Sequence, residues 1–572
     1  MRGSRVILAA GAAALAAVAL PAAASAHAYI VKTVPAASVV VNTPPPNVQL
    51  TYDEAVEPRF AIISVTDAAG HSVTDGPVTR SPGNPDTLVV PLRRVPEGWY
   101  LVYWRVISVD GHPVQNAFTF AVGPDPGPLP QFPVPHISGT ATSTPLVIAK
   151  WIAFLTLMIA AGLFVLRALI AQPLVRRVEG TSLRPLSIAF GLVAALGLIA
   201  VPTYLEEATA IDSLKSFADV GALVPLWRVT ANGRGWVDVE ICFALFVAAA
   251  ALAIRVDRPR REHRSIAAML ALSGALAGAA ATLVLPGAIG HAGQTAPRGL
   301  SVAFDWLHLV SGSIWIGGLV GLLVVWASLP AAHRVAGLAV CVPRFSNVAF
   351  FSVLLLLGTG VGASILHLPT LDALWLTSYG KAILVKSGIL LAAMLVASVN
   401  LLRTTPGLSR PEEGEGSARL LRRLVTVEAV LVAGAVLVAA ILSSLAPPPP
   451  AFAKEGEALA QVGPGRVAEA VRQGGYTLQV LVGPNRAVQP NSFALRLTRG
   501  GKPVSGADVT LTFSMLDMQM PTQEFQLAET APGIYTRKTN ALVMVGHWAL
   551  SFAIAPKGGQ PFTAVVVDHA TG

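Results

Sequence analysis

The distribution of polar and apolar residues along this 572-residue chain predicts its architecture before any single residue is considered. Met1 to Ala26 places Arg2 and Arg5 ahead of an unbroken Ala, Leu and Val core and closes on Ala24-Ser25-Ala26, the pattern of a signal peptide with a small-residue cleavage site. Cleavage there makes His27 the first residue of the mature chain; the alternative is an uncleaved anchor. Over 27–123, β-rich runs alternate with Pro and Gly breaks, at Ile62 to Asp67, Thr87 to Leu92, Trp99 to Ser108 and Ala117 to Val122. These runs predict a small β-sandwich. A proline-crowded linker follows over 124–145 and resists both helix and strand.

Eight apolar runs long enough to cross a bilayer come next, at 146–171, 183–205, 237–256, 265–287, 300–329, 346–366, 381–402 and 421–445, within a bundle spanning 146–446. A second linker, 447–474, opens on Pro447 to Pro450. From 475 to 572 the β pattern returns in Tyr476 to Val482, Ser492 to Thr498, Ala507 to Met515, Ile534 to Lys538, His547 to Ile554 and Phe562 to Val567. The expected fold is a multi-domain membrane protein: an exported β-sandwich, a polytopic α-helical bundle of about eight transmembrane helices, and a second exported β-sandwich.

Composition agrees with that reading, since 53% hydrophobic residues and a mean hydropathy of +0.61 are too apolar for a soluble chain of this length. The net charge of +9 does not signal nucleic acid, because the basic residues gather in short loops between apolar runs. Arg176, Arg177 and Arg184, then Arg255, Arg258, Arg260, Arg261 and Arg264, then Arg334 and Arg344, then Arg403, Arg410, Arg419, Arg422 and Arg423 occupy every second connection. Alternation of this kind places those loops on the cytoplasmic side and both sandwiches on the outer or periplasmic face of the cell membrane. With only two cysteines, Cys242 in an apolar run and Cys341 in an expected inner loop, no disulfide framework and no thiolate metal site is expected.

An amino-terminal histidine offers its amine and its imidazole to one metal ion, and Asp110-Gly111-His112 adds a carboxylate and a second imidazole from a point where glycine lets the chain bend. Nitrogen and oxygen donors of this kind suit Cu(II), which stands at the top of the stability order for divalent ions. Asp-Gly is also an ordinary hairpin-turn pair, and the residues alone leave that alternative open. His27-Ala28, Pro44-Pro45-Pro46 running to Tyr52 and Val56-Glu57-Pro58, and Ser108 to Val114 ending in Phe118-Thr119-Phe120 resemble the CopC family of exported copper-binding proteins. That resemblance implies His27, Asp110 and His112 as Cu(II) ligands. The methionine-rich Cu(I) site of some members is not carried over, because this stretch contains no methionine. His71 and His136 are expected in solvated loops.

In the bundle, ionisable residues gather toward the outer side: Glu206, Glu207, Asp238, Glu240, His291, Asp305 and His308. Asp305 and His308, three apart, share a helix face. Lys386 is expected either to balance a buried carboxylate such as Glu240 or to snorkel to the surface, and Glu428 to pair with Arg422 and Arg423. His263 and His333 fall in inner loops beside arginines and are expected to carry no chemistry. Trp306-Leu307-His308-Leu309, Ser313 to Gly318, Gly290-His291-Ala292, Tyr379-Gly380-Lys381, Lys386 and Asn400 resemble the CopD family of inner-membrane copper-resistance proteins. Membership implies passage of copper across the membrane or delivery to its interior, usually taken as import, and marks His291 and His308 as candidate ligands.

Four of the eight methionines fall in the last domain, where Met518, Met520 and Met544, with His547, form a candidate soft site for Cu(I). Methionines also fill gaps in sandwich cores, so the residues alone leave the matter open. Ser514 to Pro521, Pro532-Gly533-Ile534-Tyr535 and Gly546-His547-Trp548 are similar to YtkA-like exported domains. No nucleotide loop of a pump is visible, so movement would follow a gradient or a handoff, and no catalysis is expected. Expected partners are copper ions, the lipid bilayer and an exported copper chaperone or reductase. The competing readings are a membrane-anchored copper buffer or sensor, a haem-binding electron-transfer bundle held by His291 and His308, and an oxygen-activating copper oxidoreductase.

Overall fold

The computed structural model describes residues 30–36, 39–52, 56, 58, 61–107, 113–127, 130, 132, 144–212, 230–410, 412–445, 447–448, 458–487, 489–516, 522–543 and 546–571. They fall into two compact units, a helical one over 142–367 and 380–445 and a β unit that gathers both ends of the chain with 368–379. The expected signal peptide, His27, Asp110, His112, Met518, Met520 and Met544 lie outside the described residues.

The first sandwich pairs two sheets. β1 (Ile30–Val34), β3 (Asn47–Tyr52), β6 (Asn84–Pro91) and β5 (Thr79–Ser81) form one in that order, and β2 (Val40–Val41), β8 (Pro113–Val122), β7 (Gly98–Ile107) and β4 (Ile62–Asp67) the other. Period-two alternation sends Val48, Leu50 and Tyr52 of β3 into a shared core with Val65, Leu88, Val90, Val102, Trp104 and Phe120. β7 is apolar on both faces. Tyr100, Val102, Trp104 and Val106 fill this core, while Leu101, with Trp99 and Tyr103 beside it, turns outward and joins Ala117 and Phe132 in the core of the second sandwich.

That second sandwich is built from β10 (Val467–Gln473), β11 (Tyr476–Gly483), β12 (Asn491–Arg499), β17 (Ile534–Thr539) and β16 (Ala528–Ala531), with β13 (Lys502–Pro503) beside β12. The facing sheet orders β15 (Gln523–Gln526), β14 (Asp508–Met515), β18 (Gly546–Ala555), β19 (Phe562–Ala570) and β9 (Ala460–Val462). Two of these strands, β9 and β10, occupy part of the stretch expected as linker over 447–474. β10 reads poorly as a strand because it is an edge with Glu469 and Arg472 in its run. Asn540 Nδ2 donates to Thr119 Oγ1, so the outer face of β7 and β8 is fastened to the second sandwich by a hydrogen bond as well as by apolar burial.

Among the described residues the helical unit has eight helices long and apolar enough to cross a membrane. They are α1 (Thr144–Val165, continued by a π turn, Leu166–Ile170), α2 (Arg184–Asp212), α3 (Ala231–Val256), α4 (Ile266–Ile289), α5 (Arg298–Ser328), α6 (Ala331–His367), α7 (Ser378–Val399) and α8 (Gly414–Leu442). α6 starts well before the expected 346, so Cys341 is a fully buried helical residue instead of a loop one. The helix runs through Pro343, and that proline with Arg334 and Arg344 disguised its first turns as a loop. α1 and α5 cross at Gly162 and Gly317. A Cβ on Gly162 would stand 1.9 Å from Ser313 O, and one on Gly317 would stand 2.5 Å from Gly162 Cα. Only glycine allows this backbone contact, which is how helices associate where apolar burial gives no net drive.

Candidate metal centre

Of the expected Cu(II) set in the first sandwich, the structure describes the scaffold. β7 and β8 run antiparallel with Ile107 opposite Pro113. β1 begins at Ile30, three residues after His27, and Ile30 pairs with Tyr52. The Tyr52 ring meets Trp104 edge-on at 5.5 Å, and Trp104 lies three residues before the end of β7. The start of β1 and the end of β7 therefore sit toward one end of the sandwich. Burial raises the Tyr52 phenol well above its ordinary pKa, so it stays neutral.

In the bundle the structure gathers groups from three helices around His308 of α5. The ring Nδ1 lies 3.1 Å from Leu356 O and 3.3 Å from Thr359 Oγ1, both on α6. A carbonyl can only accept, so Nδ1 carries the proton and Nε2 presents its lone pair. That lone pair faces Lys386 Nζ of α7 at 3.3 Å. Gly360 of α6 lets the ring approach, since a Cβ there would stand 3.2 Å from His308 Cε1. Asp305, one turn before His308, interacts electrostatically with Lys386 and His367, and it abuts Gly287 of α4, where a Cβ would stand 2.3 Å from Asp305 Oδ2. Lys386 thus contacts His308 and interacts electrostatically with Asp305; the expected partner Glu240 has a buried Oε2 with no hydrogen bond.

His291 is buried in the short helix His291–Gln294 that follows α4. Among the described residues no three His, Cys, Asp or Glu side chains are grouped closely enough to hold a metal ion, so His291 and His308 do not join a cluster of that kind. Glu428 departs from its expected pairing. It is 3% exposed and accepts hydrogen bonds from Trp315 Nε1 at 2.6 Å and Asn400 Nδ2 at 3.1 Å. Arg422 instead lays its guanidinium over Trp326, which Arg334 also covers.

In the second sandwich His547 of β18 is half-buried and stacks on His569 of β19, with ring centroids 4.6 Å apart. His569 escaped the sequence reading, although a hairpin turn centred on Gly558 puts the two opposite each other. Next to it Asp568 is fully buried. Its Oδ1 accepts from Asn485 Nδ2 at 2.8 Å, Oδ2 makes no hydrogen bond, and burial pushes its pKa up to about 6.

Family models match in three places: a CopC domain over 30–123, copper resistance protein D over 339–442, and a YtkA-like domain over 471–553. The copper transport protein CutJ of Bacillus subtilis is 27% identical over 544 residues, 93% of each chain. Copper resistance protein C of Escherichia coli is 33% identical over 106 residues, 17% of this chain and 83% of its own. A crystal structure of CopC from Methylosinus trichosporium covers 18% of this chain and 99% of its own at 30% identity, with a TM-score of 0.17. With these domains in one polypeptide and in this order, the chain belongs to the CopC and CopD family of copper resistance and transport proteins, as a multi-pass membrane member that ends in a YtkA-like domain.

Proposed function

We propose that this protein captures copper outside the membrane and passes it inward through the bundle, with no catalytic step. In this reading the first domain, 27–123, holds Cu(II) through the amine and ring of His27, the Asp110 carboxylate and the His112 ring. An α-amine has a pKa of about 8, so copper must displace its proton and affinity falls in acid. The bundle, 146–446, relays the ion through His308, with His291 as a second station. The second sandwich holds Cu(I) through Met518, Met520, Met544 and His547. An even number of crossings supports both sandwiches on the outer side, and an exported chaperone or reductase supplies the ion or its electron.

The observation that carries this reading is the neutral His308 imidazole set among α5, α6 and α7, with its lone pair turned to a displaceable ammonium. One exchangeable nitrogen suits a relay better than a resident cofactor, which takes a fuller ligand set. The test is copper(I) entry into proteoliposomes carrying the full chain. His308→Ala lowers the initial rate about tenfold or more, and an unchanged rate overturns the reading. Copper bound by the protein with no entry at all identifies an anchored buffer instead.

A further inference from the structure

Residues 368–379 join α6 to α7 and contain the short helix Ala373–Leu376. Ala373 has no exposed surface and packs with Leu516, Ala549, Val565 and Val567, and Leu368 and Ala458 lie against the same cluster. This is the outer face of the β14, β18 and β19 sheet. Register explains its chemistry: Ala549 stands opposite Val567 and Ser551 opposite Val565, while Trp548, Leu550 and Phe552 turn to the inner core. A strand pair apolar on both faces needs cover on both, and the connection between α6 and α7 supplies it.

The helices joined by this connection are the two that occupy His308. α6 engages Nδ1 through Leu356 O and Thr359 Oγ1, and α7 engages Nε2 through Lys386. α7 is also the least buried of the eight spans, so packing along its length fixes it weakly and its amino-terminal end matters more. A lone pair that accepts from an ammonium is not available to copper.

We propose that the second sandwich latches α7 through the docked Ala373 segment, keeping Lys386 on the ligating nitrogen of His308, and that copper passes when this latch releases. The proposal rests on the reading of His308 as a copper relay. It gives the YtkA-like domain a role in regulating the bundle through covalent continuity of the chain, whether or not that domain binds copper itself.

The experiment measures entry of copper(I), supplied under ascorbate, into proteoliposomes containing the full chain. Ala373→Glu puts a charge into the apolar dock and raises the initial rate about fivefold, a typical coupling between two sites. Lys386→Met gives a similar rise, and the double variant is no faster than either, because both act on one lone pair. Ala373→Ser keeps the wild-type rate. Where Ala373→Glu does not fold, Val567→Ala thins the docking face without burying a charge and serves the same comparison. Equal rates for the docking variant and the wild type, with His308→Ala slow, overturn the latch and leave the relay standing. Multiplying effects of Ala373→Glu and Lys386→Met overturn it too. A His308→Ala protein as fast as the wild type overturns the relay reading itself.

Discussion

Lys386 Nζ of α7 lies 3.3 Å from His308 Nε2 of α5, on the ring nitrogen left unprotonated when Nδ1 donates to Leu356 O. The contact sets a tethered cation on that nitrogen, and Asp305, one turn before His308, interacts electrostatically with the same ammonium. In the proposed relay, copper would compete with Lys386 for this one lone pair. Ionisable groups within a bilayer are costly alone, and here a cation and a carboxyl from two helices offset each other.

The Asp305 and Lys386 charges are therefore expected to depend on each other. Lys386→Met removes the cation that interacts with the buried Asp305 carboxyl and is expected to lower stability by about 1 kcal/mol or more, a loss that Asp305→Asn in the same chain partly recovers. Thermal unfolding in detergent of the wild type, both single variants and the double variant checks this. Additive losses would separate the two groups.

Glu428 is a hub of acceptors inside the bundle, taking hydrogen bonds from Trp315 and Asn400. Glu428→Leu strands two buried donors and is expected to cost about 3 kcal/mol. Glu428→Gln keeps one carbonyl acceptor and costs about half as much. The same unfolding assay distinguishes them, and a red shift of tryptophan fluorescence in Glu428→Leu would mark the loosened Trp315.

The crossing of α1 and α5 makes a third expectation. Gly162→Ala drives a methyl into Ser313 O and pushes the helices apart, costing about 1–3 kcal/mol. Gly274→Ala on α4, where a Cβ meets nothing within 4 Å, instead gains the helix propensity of alanine, about 0.8 kcal/mol. Opposite shifts in melting temperature for two glycine-to-alanine changes in one bundle would be hard to produce by anything except local packing.

Helix number and order were legible because a span of apolar residues is a long, redundant signal, and small residues from Ser313 to Gly318 already announced a close crossing. Strands with clean alternation, such as Ile62–Asp67, were read to the residue. Edge strands were not, since β10 and β16 have little to bury. The partners of His308 were legible only on its own helix. Spacing along a helix brings in Asp305, but Leu356, Thr359 and Lys386 arrive from helices 48 to 78 positions away in sequence, and nothing local encodes that. The full apolar run Trp99 to Trp104 did carry a message, burial on both faces, which the second sandwich explains.

Asp568 gives a pH dependence with a definite sign. Burial raises its folded pKa from 3.8 to about 6, so between these values the folded chain binds more protons than the unfolded one, and stability falls as pH rises. Below about pH 4 both states hold a neutral acid and no penalty exists. Above about pH 6 the loss is complete, and a shift of about two units sets it at about 3 kcal/mol. Asp568→Asn removes the ionisation while its Oδ1 still accepts from Asn485. The variant is thus expected to match the wild type at pH 4 and to exceed it at pH 7. Hydrogen exchange of the β18 and β19 amides in the full chain, corrected for intrinsic rates, reads that difference directly. Protection in the wild type that grows from pH 4 to pH 7, relative to the variant, would mean that the carboxylate is stabilised as an anion, and an unseen donor to Oδ2 would then have to be sought.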